Sequence, residues 1–164
     1  MATNAILSKA GTPVVFQDAD GDVTFTLKDG VAAGNGQVSN QWDRGAAARA
    51  TTYLMDAAIK WAETPTLGDV CRIYLSDSEA TGRDLSSDGD VTPETKFDNF
   101  RFVGQVVCSV AADQTFYASY IVEIVGRYVN LGVWNASATK TLNATSKACS
   151  ITLTPIYPDI QAAT

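Results

Sequence analysis

The chain has 164 residues, of which 46% are hydrophobic and 18% are charged, and its formal net charge is −6. This length suits one domain that buries about 70% of its unfolded surface. Lysine and arginine are scattered singly, and the lack of a basic stripe disfavours nucleic-acid binding. No apolar run approaches the roughly 20 residues that span a bilayer, so no membrane partner is expected.

Two residue types limit the possible chemistry. Histidine is absent, which removes Ser-His-Asp and Cys-His arrangements and the usual imidazole metal ligands. The three cysteines, Cys71, Cys108 and Cys149, are far apart and form no CxxC pair; we expect each to be a small buried hydrophobe. Residues 1–7 lack the pattern of a signal peptide, so the protein is expected to be made and assembled in a cytoplasm.

The first half of the chain predicts an arm followed by short strands. Residues 1–12 are interpreted as an irregular N-terminal arm, and 13–164 as one domain. "PVVFQ" (13–17) and the alternating "DVTFTLKDG" (22–30) have strand patterns, and a short strand is expected within the Gly- and Asn-rich stretch 32–45. Residues 46–63 fit either a helix or a long strand, and the all-β surroundings favour the strand.

The second half predicts further strands around one long loop. Strand patterns cover residues 70–76, 100–110, 115–125, 128–137 and 148–158, with a bulge expected at Gly104. The polar, acidic stretch 77–99 is interpreted as a loop. About eight strands without βαβ alternation predict an all-β domain, a single β-sandwich or jelly roll.

The clearest candidate metal site is "DADGD", residues 18–22. Asp18, Asp20 and Asp22 match the first three ligand positions of a calcium loop. Val23 stands where that loop needs glycine, and the chain then alternates as a strand. The pattern therefore favours a turn between two strands, and we expect no metal and no cofactor.

Other candidate groups have equally ordinary interpretations. The acids of the 77–99 loop, namely Asp77, Glu79, Asp84, Asp88 and Asp90, have irregular spacing. Glu123 lies in an apolar strand, where a buried acid has a raised pKa, but an exposed position or a place opposite an arginine is commoner. The three tryptophans are expected in the core or an interface, with a sugar-stacking platform as the alternative.

The order of elements over residues 70–161 carries a resemblance to a known class. A strand ending in a Ser/Asp turn, "CRIYLSDSEATG", is followed by the polar loop with "DGD", then by "FRFVGQVV", "FYASYIVEIVGRYVNLGVWNAS" and the closing "ITLTPIYPDIQ". This order resembles small capsid decoration proteins, also called cement or head-stabilising proteins, of tailed bacteriophages. The resemblance implies a jelly-roll domain, assembled as a homotrimer on the virion surface and bound to the major capsid protein.

The leading hypothesis is therefore a non-enzymatic viral structural protein that stabilises contacts between capsomers. Ile6, Leu7 and Trp42 are predicted to be buried at a protein interface. The alternative is a carbohydrate-binding, receptor-recognition module of a phage tail fibre, which exposed tryptophans beside the acidic loop would favour. A hydrolase that uses Glu123 and Asp113 is disfavoured by the missing histidine and the lack of catalytic motifs.

Overall fold

The computed structural model describes residues 6–18, 20–27, 30–46, 49–81, 89–145 and 147–160, with the side chains of 6–8 and 158–160 outside that description. These residues form two packed sheets of six strands each. The predicted all-β sandwich is confirmed. In the described part of the chain, the helical element with assigned bounds is a short 3₁₀ turn at Glu94–Phe97.

The first sheet, called sheet I, has the order β10-β6-β12-β2-β3, and β1 adds to the end of β12. Its pairs are antiparallel except for β2 with β3, which run parallel. The strands are β1 (Ile6–Ala10), β2 (Val14–Gln17), β3 (Val23–Thr24), β6 (Thr52–Ile59), β10 (Phe116–Glu123) and β12 (Ser150–Ile160).

The second sheet, called sheet II, has the order β8-β4-β11-β7-β9, with β5 paired to β11. Strands β10 and β9 are therefore the edge strands on one side of the sandwich. The members of sheet II are β4 (Gly36–Val38), β5 (Trp42–Asp43), β7 (Val70–Ser78), β8 (Gly89–Val91), β9 (Arg101–Val107) and β11 (Tyr128–Asn135).

Strand alternation explains how the two sheets share one core. Every second residue of a strand points to the same face, and the inward positions hold large apolar side chains that are fully buried. They include Phe16, Met55, Ile59, Ile73, Leu75, Leu131, Ile151 and Leu153. All three cysteines are buried and unpaired, as expected.

Residues 46–63, whose sequence fits either a helix or a long strand, contain a strand. β6 alternates, with Tyr53, Met55, Ala57 and Ile59 buried between more exposed neighbours, and Trp61 continues the buried set. Alanine favours helix locally, but β10 and β12 pair with β6 along its two edges. Pairing with strands that are remote in the sequence therefore outweighs the local helix preference of this segment.

The N-terminal arm is more ordered than predicted. Ile6–Ala10 forms strand β1 and pairs antiparallel with the end of β12, from Ile6 opposite Ile160 to Ala10 opposite Ile156. The Gly11 N–H then donates to the Pro155 carbonyl (2.8 Å), so the antiparallel pairing with β12 continues from β1 towards β2. The expectation of an irregular arm is wrong over residues 6–10, because its pairing partner is almost the whole chain length away.

Two other predicted boundaries were wrong. Among the described residues of the predicted strand over 22–30, only Val23–Thr24 is strand, although Phe25 and Leu27 beyond it are buried. The loop expected over 77–99 contains the end of β7, all of β8 and the 3₁₀ turn. Its acids Asp84 and Asp88 lie outside the described residues. In both places the strands are only two or three residues long, which is too short to show the alternation of buried and exposed residues in the sequence.

The bulge expected at Gly104 is present. The β7–β9 register shifts between Ile73 and Tyr74, opposite this glycine. A Cβ at Gly104 would lie 2.2 Å from the Tyr120 ring. The Tyr120 hydroxyl accepts from the Gln105 N–H (2.8 Å) and donates to the Gln105 carbonyl (2.7 Å). Tyr120 thus links the edges of the two sheets.

Substitution of Gly104 by alanine is expected to destabilise the fold by about 1–3 kcal/mol, because the methyl group displaces the Tyr120 ring. Tyr120→Phe keeps the ring and loses only the hydroxyl bonds, at about 1 kcal/mol. The free energy of unfolding from urea titration measures both. A Gly104→Ala variant as stable as the parent chain would show that the ring does not depend on this glycine.

Candidate protein-docking face

The outer surface of sheet II is covered by the chain itself. Residues 89–100, called the cover segment, run across β4 and β11 and bury Val91, Phe97 and Phe100. The Phe97 ring lies directly on backbone, since a Cβ at Gly132 would come within 2.3 Å of it and one at Gly36 within 2.8 Å. This side of the sandwich is therefore a second, smaller core.

An ion pair and a tyrosine hydroxyl together hold the cover segment in place. Arg72 Nη1 donates to both Glu94 carboxylate oxygens (2.7 and 2.8 Å), and the Tyr74 hydroxyl donates to Glu94 Oε1 (2.5 Å). Burial and the bond to Glu94 raise the pKa of Tyr74 to about 12. Glu94 is thus held by two strand residues, and the Tyr74 ring stacks on Phe97 at 4.6 Å.

None of the described residues covers the outer surface of sheet I in this way. The outward side chains of its four adjoining strands are only half-buried or exposed. The register brings them into rows, for example Ile121 beside Leu54 beside Thr154. These side chains define the open face: Val15, Thr52, Leu54, Asp56, Ala58, Tyr117, Ser119, Ile121, Glu123, Ser150, Thr152 and Thr154.

The open face is nearly free of charge. Its ionisable residues at neutral pH are Asp56, whose Oδ1 accepts the Ser119 hydroxyl (2.5 Å), and Glu123 at the end of β10. The remaining positions are aliphatic, aromatic or hydroxyl side chains. Depletion of charge at the centre, with apolar and aromatic groups, is typical of the core of protein–protein interfaces.

Exposed apolar side chains concentrate at the β10 margin of this face and on the neighbouring edge β9. Six of the eight large hydrophobic side chains that are exposed among the described residues lie on or directly after these two strands: Phe102, Val107, Val110, Tyr117, Ile121 and Val125. Exposed apolar patches mark interaction sites more often than free surface.

The tryptophans form no exposed platform. Trp61 and Trp134 are 1% and 8% exposed. Trp42 is half-buried and packs edge-on against Phe16 (5.9 Å) and Tyr53 (6.2 Å). The feature that would have favoured sugar stacking, an exposed tryptophan beside the acidic loop, is therefore not found in any of the three.

The predicted interface residues are only partly located. Trp42 lies on β5 against the main core, with one side in a shallow cleft that Arg49 and Tyr157 also line. The backbone of Ile6 and Leu7 is in β1, and their side chains lie outside the described residues. Burial of these three at an interface stays a prediction.

The aspartate stretch 18–22 forms the expected turn. The Gly21 N–H donates to the Asp18 carbonyl (2.7 Å). Asp22 Oδ2 accepts from the Val15 N–H (2.8 Å), and Asp20 pairs with Lys147 (3.0 Å). Asp20 and Asp22 thus bind protein donors, and the described residues contain no group of three or more His, Cys, Asp or Glu side chains that suits a metal ion.

The acids of the disfavoured hydrolase hypothesis are not brought together. Asp113 precedes β10 and pairs with Lys60 (3.2 Å), whereas Glu123 ends that strand and is exposed. A strand of this length separates them by about 25 Å, far beyond the spacing of a paired-carboxylate site. Two of the cysteines are also poor nucleophiles in this setting, because burial raises the pKa of Cys71, and that of Cys149 to about 11.

One carboxylate outside the open face, that of Asp43, has a strongly lowered pKa. Arg127 donates to both Asp43 oxygens (2.7 Å each), and the Gly45 N–H donates to Asp43 Oδ1 (2.8 Å). These bonds lower the pKa of Asp43 from 3.8 to about 2. The pair joins β5 to the start of β11.

Carboxyl NMR titration is expected to place the Asp43 pKa near 2, and Arg127→Ala is expected to return it towards its ordinary value. Because the folded pKa is the lower one, the pair stabilises the fold above about pH 4 and loses this contribution as the pH falls towards 2. An Asp43 pKa that does not move in Arg127→Ala would assign the shift to Gly45 instead.

The open face was not predicted from the sequence, although a signal was present. Residues 115–122 and 148–157 carry no charge, and hydroxyl residues alternate along the first half of β12, at Ser150, Thr152 and Thr154. An alternation of Thr or Ser with apolar residues has the period of a half-buried strand. It does not say whether the hydroxyl face meets water or another protein.

No helix in the described part of the chain is long and apolar enough to cross a membrane.

Comparison with known proteins gives structural likenesses but no family. No family model matches the chain, and no curated protein matches it. Among solved structures, the chain is similar to the C-terminal CBM6 of LamC, a marine laminarinase from Zobellia galactanivorans. The TM-score is 0.44 and the identity 11%, over 87% of this chain and 99% of that one.

Proposed function

We propose that this chain is a capsid decoration protein, which binds the outer surface of a major capsid protein shell and stabilises contacts between capsomers. The observation that carries the proposal is the asymmetry of the sandwich. Among the described residues, sheet II is covered by the cover segment, whereas sheet I presents an open face with two carboxylates, those of Asp56 and Glu123. A protein that acts by adding contact area needs such a face and needs no reactive group.

The size of the open face suits this role. A standard interface takes about 800 Å² from each partner, and four adjoining strands of a sheet supply a surface of that order. Many copies bound to one shell add their contacts through avidity. The resemblance of residues 70–161 to decoration proteins gives the proposal its capsid partner, and the outward rows of sheet I give it a docking surface.

Co-sedimentation with capsids that lack their decoration protein tests the proposal. The purified chain is expected to pellet with expanded capsids at a saturating number of copies and to raise the temperature at which the shells open. Binding to a glycan panel, with quenching of tryptophan fluorescence and no capsid binding, would instead establish the carbohydrate-binding alternative. Failure to bind any capsid would remove the proposed function.

A further inference from the structure

The free edge of β10 differs from the other sheet edges. β3 and β8 end their sheets with two and three residues. β9 carries the bulge, and Tyr120 occupies both backbone groups of its Gln105. β10 has eight residues, and its described pairing is with β6 alone. Natural proteins guard long apolar edges with lysine, proline or bulges, and β10 has none of these.

Hydrogen bonds at the end of β10 show which backbone groups face outward. The Ile124 N–H donates to the Thr51 carbonyl (2.8 Å), so even-numbered residues point their backbone groups towards β6. Arg101 donates to the Glu123 carbonyl from the opposite side. The odd-numbered residues Tyr117, Ser119 and Ile121 therefore direct both backbone groups to the free edge, where a further strand can pair.

We propose that β10 of a second copy of this chain adds antiparallel to this edge about a two-fold axis at Ser119, which gives a dimer in place of the homotrimer that the resemblance to decoration proteins implies. In that register Tyr117 of one copy lies opposite Ile121 of the other, and Ser119 lies opposite itself. The three outward-facing residues of each strand then form about six backbone hydrogen bonds. Glu123 stays outside these pairs and keeps its bond to Arg101.

The side chains of the strand are self-complementary in this arrangement. Tyr117 and Ile121 are 76% and 64% exposed in the single chain, and an aromatic residue opposite a β-branched one is a favourable cross-strand pair. Residues 115–122 carry no charge, so two chains of net charge −6 meet at a neutral segment. The two Asp56 carboxylates would lie about 14 Å apart, three strand spacings, where salt screens them.

Light scattering during size exclusion, without capsids, tests this inference independently of the proposed function. The parent chain is expected at twice the mass of 17.4 kDa. Ser119→Pro removes the central N–H donor at a position where the N–H faces away from β6, which a strand tolerates. This variant is expected at the monomer mass, and Leu67→Lys, at an exposed apolar position on a distant turn, at the dimer mass.

A second variant tests the axis itself. Because the three native cysteines are buried, Ser119→Cys introduces the accessible thiol, and opposite residues of a bonded pair are about 5.5 Å apart, which suits a disulfide. This variant is expected to cross-link on oxidation, whereas Glu123→Cys places its thiols about 27 Å apart and stays uncrosslinked. A parent chain that is a monomer or a trimer, a Ser119→Pro dimer, or an uncrosslinked Ser119→Cys each overturns the inference.

Discussion

Phe97→Ala is expected to destabilise the fold by about 3–5 kcal/mol, the usual loss for truncating a buried phenylalanine. The ring is 3% exposed. It stacks on Tyr74 at 4.6 Å and meets Phe100 and Trp134 edge-on at 5.3 and 6.5 Å. Because Gly36 and Gly132 have no side chains to refill the space, truncation leaves a cavity on the sheet and frees the cover segment.

Urea denaturation monitored by tryptophan fluorescence measures this loss. Phe102→Ala is the matched control, because this ring is 54% exposed and its truncation is expected to cost less than about 1 kcal/mol. Gly132→Ala is expected to destabilise the parent chain, since its methyl group meets the Phe97 ring. In the Phe97→Ala background it is expected to cost much less, because the two changes share one space. Equal losses for Phe97→Ala and Phe102→Ala would contradict the assignment of a second core.

Thr154→Lys is expected to weaken capsid binding by at least about 100-fold, the effect of a hot-spot residue. Thr154 lies on β12 beside Leu54, in the middle of the open face. A lysine there would bring a charge into the interface, and removing that charge from water costs far more than a lost van der Waals contact. Its outward position leaves the core of the sandwich unchanged.

Titration of capsids with labelled protein measures the affinity of this variant. Thr95→Lys is the control with the same change of charge, since Thr95 is exposed on the cover segment on the opposite side of the sandwich. Its affinity is expected to equal that of the parent chain. Equal weakening by both substitutions would show a general effect of charge, and weakening by Thr95→Lys alone would move the docking surface to the other side.

The fold class could be predicted because strand periodicity is local. Alternation in residues 70–76 and 148–158 identifies buried positions directly, and the strand nature of β6 followed from its β-rich surroundings. β1 could not be predicted, since its partner lies at the other end of the chain. The cover segment was also hidden, because its anchors Glu94 and Phe97 stand in a polar, acidic stretch whose composition is that of a loop.

The candidate site depended on topology rather than on motifs. Interfaces have no sequence signature comparable to a metal or nucleotide motif. The prediction that Ile6, Leu7 and Trp42 are buried at an interface therefore rests on their residue type. The open face appears only when β10, β6, β12 and β2 lie side by side in one sheet. Its central positions, such as Thr152 and Thr154, are ordinary strand residues when read singly.

Cryo-electron microscopy of capsids incubated with the purified chain tests the central claim most directly. The account predicts added density on the outer surface of the shell, with the strands of sheet I against the capsid protein and the cover segment towards solvent. Density oriented with the cover segment against the shell, or capsids that remain bare at saturating protein, would contradict the assignment of the open face as the docking surface.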